Sequence, residues 1–228
     1  MIIQKGVQYM AVLMLAFFVM RCGTNDNPSN AKKGAAATTP AATTKTKTIV
    51  FFGNSLTAGY GLASPTEAFP ALIQGKIDSA GLPYNVVNAG VSGETTSGGA
   101  SRIDWILQQP LDVFVLELGA NDGLRGIPLT ETRKNLQVII EKVKTKYPAA
   151  KLVLAGMQIP PNMGESYAGQ FRAIFPDLAA KNKLALIPFL LEGVGGEARL
   201  NQQDGIHPTA EGAQIVAQTV WRYLQPVL

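Results

Sequence analysis

The sequence predicts an α/β fold built on a five-stranded parallel sheet with helices on both faces. From residue 48 onward, short β-rich apolar runs alternate with longer stretches of helical period, the pattern left by repeated strand–helix crossovers. The runs are continuously apolar, which implies strands covered on both faces. With 228 residues, 46% of them hydrophobic and 16% charged, the chain can bury one substantial core and has little left for a second domain of similar size.

The expected strands lie at 48–52 (TIVFF), 84–88 (YNVVN), 113–118 (VFVLEL), 151–155 (KLVLA) and 185–188 (ALIP). Helices are expected at 69–80, 98–108, 131–147, 167–182 and 209–224, with Pro176 kinking or splitting the fourth. The 131–147 segment shows the logic. Leu136, Ile139, Ile140, Val143 and Tyr147 recur at helical spacing, while Arg133, Lys134, Lys142 and Lys144 take other faces and read as a solvated surface. Thr130 is placed to cap it. In this order the elements compose a flavodoxin-like three-layer sandwich.

Ahead of the folded part the composition changes twice. Residues 9–20 (YMAVLMLAFFVM) form an apolar run after a weakly basic start at Lys5, too short to span a bilayer and of the length of a signal-peptide core. It ends at Val19-Met20-Arg21-Cys22-Gly23, which resembles a bacterial lipobox except that Arg21 stands where a small residue is usual. Residues 1–22 are therefore read as a signal peptide. Residues 23–47, rich in Ala, Thr, Lys, Asn and Pro, are read as a disordered linker, because such a stretch cannot offset its ordering entropy by burial. The folded domain is then expected at 48–228, in the cell envelope, periplasmic or secreted, or held at a membrane through lipidated Cys22.

Charge excludes one class of partner. The formal charge of +4 sits wholly in the first 46 residues, where five Lys/Arg face the single acid Asp26, and the remainder balances. No excess is left to track a phosphate backbone, so nucleic acid is not expected. A single cysteine, Cys22, rules out a disulfide within the chain, and a single histidine, His207, rules out multi-histidine zinc sites.

In an open parallel sheet the working loops leave the carboxyl ends of the strands. The first strand is followed by Gly53-Asn54-Ser55-Leu56-Thr57-Ala58-Gly59, the second by Gly90-Val91-Ser92-Gly93-Glu94-Thr95, and the third by Gly119-Ala120-Asn121-Asp122-Gly123. Asp204-Gly205-Ile206-His207-Pro208 stands near the carboxyl end. Taken singly, Ser55 reads as a helix cap, Asn121 and Asp122 as turn formers, and the glycines as ordinary turn residues.

Taken together, in this order, the four segments resemble the blocks of the SGNH (GDSL) hydrolases. The sequence around them (GNSLTAGYGL, FPALI, SGET, LELGANDGLRG, DGIHP) is similar to the thioesterase I, lysophospholipase L1 and arylesterase-like branch, over about residues 49–226. The resemblance implies Ser55 as nucleophile, His207 as general base and Asp204 as the carboxylate that orients the imidazole. It implies an oxyanion hole from the backbone N–H groups of Ser55 and Gly93 and the amide of Asn121, and no cofactor. These residue types suit acyl transfer, because a hydroxyl is a weak nucleophile until a base takes its proton, and an imidazole titrates near neutrality. Asp122 and Glu94 are assigned to local hydrogen bonding. Pro208 is placed to open the last helix.

One departure stands out. The family usually has aspartate directly before the nucleophile, and this chain has Asn54, which bears on the electrostatic tuning of the site. Thr57 also stands where a G-x-S-x-G elbow would have its second glycine, so the chain is not read as an α/β-hydrolase. The expected reaction is hydrolysis of a small acyl ester or thioester through an acyl-enzyme. Segments 95–100, 157–167 and 189–200 are expected to shape the acyl pocket, with Leu190 and Leu191 open between pocket and core. Two rival readings remain at this point: a carbohydrate acetylesterase, and a catalytically silent envelope-anchored binding lipoprotein. Nothing in the sequence sets the oligomeric state.

Overall fold

A computed structural model describes residues 46–160 and 164–228. The expected leader, Cys22 and nearly all of the linker lie outside the described residues. The folded part contains β1 (Lys47–Gly53), α1 (Ser55–Ala58), α2 (Phe69–Ser79), β2 (Tyr84–Gly90), α3 (Thr96–Ile106), β3 (Val113–Glu117), α4 (Ala120–Leu124), α5 (Leu129–Lys146), β4 (Lys151–Ala155), α6 (Glu165–Asn182), β5 (Ala185–Ile187) and α7 (Ala210–Leu224). All five strands are parallel, in the order β2-β1-β3-β4-β5, so the expected α/β sheet with helices on both faces is what forms.

The apolar runs of the central strands are covered on both faces as expected, whereas β2, at the sheet edge, is mostly exposed or only partly buried. Every residue of β3 is buried, as are the last five of β1. Successive side chains leave opposite faces. Phe51 meets Phe69 of α2 edge-on, with ring centroids 5.5 Å apart, and α2 in turn packs on α7. Phe52 points the other way, against Phe114 and beneath Arg102 of α3, on the side where α3, α5 and α6 pack in sequence. Leu136, Ile139, Ile140 and Val143 of α5 are all buried, which closes that face as the spacing predicted.

Four details differ from expectation. α6 runs through Pro176 without being split, and Ile174, Phe175, Leu178 and Ala179 on both sides of the proline are buried in one core. α5 begins at Leu129, so Thr130 lies inside its first turn; Pro128 takes the cap position, and its carbonyl accepts from Glu131 N and Thr132 N. α3 begins at Thr96, two residues early, because the Asp122 carboxylate takes both the N–H and the hydroxyl of Thr96, at 2.9 and 2.5 Å. α7 is capped by Thr209, whose Oγ1 accepts from Gly212 N, which leaves Pro208 outside the helix it was expected to open. Among the described residues no helix is long and apolar enough to cross a membrane.

Candidate active site

Strand β1 has β2 on one side and β3 on the other, so the chain leaves the sheet in opposite directions from neighbouring strands and a crevice opens at their carboxyl ends. Gly53, the last residue of β1, is in register with Gly90 of β2 and Glu117 of β3. The three loops singled out from the sequence therefore start side by side.

The first of them turns at once into α1. Asn54 caps this helix with its side chain, accepting from Leu56 N at 2.9 Å, and Ser55 is the first helical residue. The Ser55 hydroxyl lies 2.8 Å from Nε2 of His207, and Nδ1 of His207 lies 2.7 Å from Oδ2 of Asp204. The other Asp204 oxygen accepts from the backbone N–H groups of Ile206 and His207, at 2.9 and 3.0 Å, through a turn in which Gly205 takes φ +70°. The His207 backbone N–H, then its ring, then the Ile206 N–H hold the Asp204 carboxyl down at about 2. Asp204 is thus ionised at neutral pH. An ionised partner makes the Nδ1 position the protonated one and leaves the Nε2 lone pair for the Ser55 hydroxyl.

The histidine loop is tied down at its base. Gln202 N donates to His207 O at 2.7 Å, Thr209 N donates to Leu200 O at 2.8 Å, and Asn201 bridges Pro208 in antiparallel fashion. Gln202 Nε2 donates to the carbonyls of Pro208 and Tyr60, at 3.0 and 2.7 Å. The Tyr60 ring lies against the imidazole, with ring centroids 4.8 Å apart.

Beneath Ser55 sits a buried carboxylate. Glu117, 1% exposed, accepts from Asn54 Nδ2 at 2.7 Å, from Asn54 N at 3.1 Å and from Thr57 Oγ1 at 2.8 Å. Burial pushes the Glu117 carboxyl up to about 7, against the pull of these donors. The fit leaves no room for a side chain at position 53: a Cβ on Gly53 would stand 2.1 Å from Thr57 Oγ1 and 2.5 Å from Glu117 Oε2.

Ser55, Gly93 and Asn121, the expected sources of oxyanion donors, all line one cavity. The Ser55 N–H belongs to the first turn of α1, where backbone donors have no intrahelical acceptor. Gly93 takes φ +78°, a conformation that favours glycine, and its carbonyl accepts from Arg125 Nη2 at 2.9 Å. Asn121, in the first turn of α4, donates one amide hydrogen to Glu94 O at 3.0 Å, which leaves the second for the site. Glu94 is held in turn by a bidentate contact with Arg102, at 2.5 Å to each oxygen, and the same guanidinium donates to Ala89 O at 2.8 Å and Gly53 O at 3.4 Å. One cation therefore spans the ends of β1 and β2 and the loop between β2 and α3. Asp122, fully buried, receives Thr96 and Thr132 and joins α4 to α3 and α5.

Ser55 and His207 open onto a cavity of about 760 Å³, with an apolar lining that includes Leu124, Met157, Ile159, Pro160, Phe189 and Leu191. Residues 157–160 and, from the 189–200 segment, Phe189, Leu191, Gly195 and Gly196 supply its wall, while 161–163 lie outside the described residues. Residues 95–100, expected to join them, instead cap and open α3, where Asp122 holds Thr96, and none of them lines the cavity. Leu190 is core at 1% exposure, whereas Leu191 faces the cavity. Among the described residues no cluster of His, Cys, Asp and Glu is arranged to hold a metal ion.

The structure brings together all of the singled-out residues, Ser55, Gly93, Asn121, Asp204 and His207, at one rim. Sequence reasoning assigned no role to Glu117, Arg102, Tyr60 or Gln202. A signal existed for Glu117, the one acid inside the apolar run VFVLEL; for the other three, contacts with residues distant in the sequence decide, and no local pattern reports them.

The GDSL-like Lipase/Acylhydrolase family matches residues 51–215. Esterase TesA of Pseudomonas aeruginosa is 38% identical over 183 residues, which cover 80% of this chain and 90% of that protein. Thioesterase 1/protease 1/lysophospholipase L1 of Escherichia coli is 37% identical over 182 residues, 79% of this chain and 85% of the relative. A crystal structure of TesA superposes with a TM-score of 0.76 at 38% identity, covering 80% of this chain and all of that one.

Proposed function

The chain belongs to the GDSL-like lipase/acylhydrolase family, and from that premise we propose that it hydrolyses carboxylic esters or thioesters through an acyl-enzyme on Ser55. The observation that carries the assignment of residues is the row Ser55 Oγ, His207 Nε2, His207 Nδ1, Asp204 Oδ2, joined at 2.8 and 2.7 Å.

The geometry supports the following sequence. The substrate carbonyl lies over Ser55 with its oxygen toward the N–H groups of Ser55 and Gly93 and the free amide hydrogen of Asn121. Oγ attacks the carbonyl carbon as its proton passes to Nε2, and negative charge develops on the oxygen facing those donors. Each such donor typically supplies about 2.7–4 kcal/mol in the transition state. Asp204 accepts from Nδ1 throughout and stabilises the imidazolium without taking its proton. Collapse of the tetrahedral species breaks the bond to the alkoxide or thiolate, which leaves with the Nε2 proton. Water then enters, gives a proton to Nε2, attacks the acyl carbon and releases the acid, and the proton returns to Oγ.

The apolar cavity beside Ser55 supports an acyl chain as the group bound there, and its size admits chains beyond acetyl. The carbohydrate acetylesterase reading is correspondingly less well supported. Rapid mixing with an excess of a p-nitrophenyl acyl ester should release a burst of nitrophenolate equal to the enzyme present. Ser55→Ala should show no burst with an unchanged circular dichroism spectrum, and full turnover by that variant removes Ser55 from the mechanism.

We also propose an envelope location with anchoring through Cys22. The apolar run at 9–20, the cysteine two residues beyond it and the Ala/Thr/Lys-rich segment that follows support this reading. Cells fed labelled palmitate should label the chain but not Cys22→Ser; equal labelling of both contradicts the anchor.

A further inference from the structure

The mechanism above leaves one buried ionisable group unused. Glu117 ends β3 directly under α1, and each of its oxygens is occupied by the segment that carries Ser55: Oε1 by Asn54 Nδ2, and Oε2 by Asn54 N and Thr57 Oγ1. These two residues flank the nucleophile, Asn54 just before it and Thr57 one helical step beyond its neighbour. Asn54 also uses its remaining oxygen locally, accepting from Leu56 N at 2.9 Å and standing 3.4 Å from Ser55 Oγ. A single carboxylate thus fixes the peptide before Ser55, the amide that caps its helix and the first turn of that helix. Glu117 is also only four residues from Asn121, so the contact sets the nucleophile's turn against the loop that carries an oxyanion donor.

Burial of this carboxyl group at 1% exposure carries a desolvation cost that its three hydrogen bonds offset only in part. An apolar residue at the end of an otherwise apolar strand would fill the same space without that cost. What the carboxyl group supplies is direction: its two oxygens take three hydrogen bonds from the residues on either side of Ser55.

We propose that Glu117 is a positioning residue of the hydrolytic site, acting through Asn54 and Thr57 to hold Ser55 Oγ in line with Nε2 of His207. This rests on the assignment of Ser55 as nucleophile.

The test uses the full chain, with working sites counted by stoichiometric fluorophosphonate inactivation so that turnover is read per site. Glu117→Gln keeps the side-chain shape but turns one oxygen into a donor facing donors, and Thr57→Val removes one of the hydrogen bonds. Turnover per site should fall about tenfold or more in Glu117→Gln and about three- to tenfold in Thr57→Val, with KM held within about twofold. Thr57→Ser, which keeps the hydroxyl, should restore kcat to nearly the parent value. Parent turnover per site in both impaired designs, with only the thermal midpoint lowered, overturns the proposal and leaves Glu117 a packing element. Should Glu117→Gln not fold, the Thr57 pair decides on the same criteria. A parent protein that takes no fluorophosphonate sinks the nucleophile assignment and this proposal together, whereas a labelled parent with unimpaired variants sinks this proposal alone.

Discussion

Gln202 Nε2 donates to the carbonyl of Tyr60 at 2.7 Å, and this bond joins the loop that presents His207 to the turn that follows Ser55. The two residues are 142 positions apart, and the contact links the two ends of the proton-transfer row outside the row itself. The same amide holds Pro208 O, next to the histidine, at 3.0 Å.

Gln202→Ala removes both bonds and leaves the triad side chains in place. Each neutral hydrogen bond of this kind is worth about 0.5–1.5 kcal/mol. If half or more of that is felt in the alignment of Nε2, kcat falls about three- to tenfold, with a small loss of thermal stability. Steady-state kinetics on an aryl ester check it; an unchanged kcat means the loop holds its shape without this latch.

Asp204→Asn should be far more damaging. The carboxylate holds Nδ1–H and two backbone N–H groups, and an amide cannot accept from all three while also favouring the same imidazole tautomer. The comparable change in a serine triad costs about 10⁴ in kcat. Because Asp204 is held down at about 2, protonation of its carboxyl should cost the parent no activity in mildly acidic buffer. The kcat of Asp204→Asn across the pH range, against the parent, reads both statements.

Glu117 makes a prediction of opposite sign for stability. Its carboxyl is raised from 4.5 to about 7, so between these values the folded chain keeps a proton that the unfolded chain has released. Its contribution to stability is therefore greatest below about 4.5 and declines as pH rises through about 7. Urea midpoints of the parent relative to Glu117→Gln should fall between about pH 5 and about pH 8. A constant difference across that range contradicts the raised value.

Arg102→Met should destabilise the fold. Glu94, 6% exposed at its side chain, would lose its bidentate partner, and Ala89 O its donor. Removing one member of such a pair typically costs about 3–5 kcal/mol, and the partial exposure of Arg102 argues for the lower end. The double change with Glu94→Leu should recover part of the loss, since no charge is then left unpaired. Chemical denaturation of the two single variants and the double variant measures this coupling.

The centre of the sheet was legible in the sequence because TIVFF and VFVLEL are apolar runs ended by glycine-containing loops, and the residues at the rim were legible through the family resemblance of the loops that contain Ser55, Gly93 and Asn121. Sequence position could not reveal α1 and α4, of four and five residues, which are too short to show a helical period. Pro176 and Thr130 mislead for a related reason. Local propensity favours a break at the one and a cap at the other, but tertiary burial of Phe175 and Leu178, and the use of Pro128 O by Thr132 N, outweigh it. Glu117 was the informative anomaly: a charged residue where period and composition both call for an apolar one marks a place where the fold gives up stability for placement.

The most direct measurement is fluorophosphonate labelling of the intact protein, followed by mass spectrometry of its peptides. A nucleophilic Ser55 activated by His207 predicts one adduct per chain, on Ser55, appearing in step with loss of ester hydrolysis, and no adduct when His207 is replaced by alanine. An adduct on another residue, or complete labelling of Ser55 with hydrolysis undiminished, contradicts it.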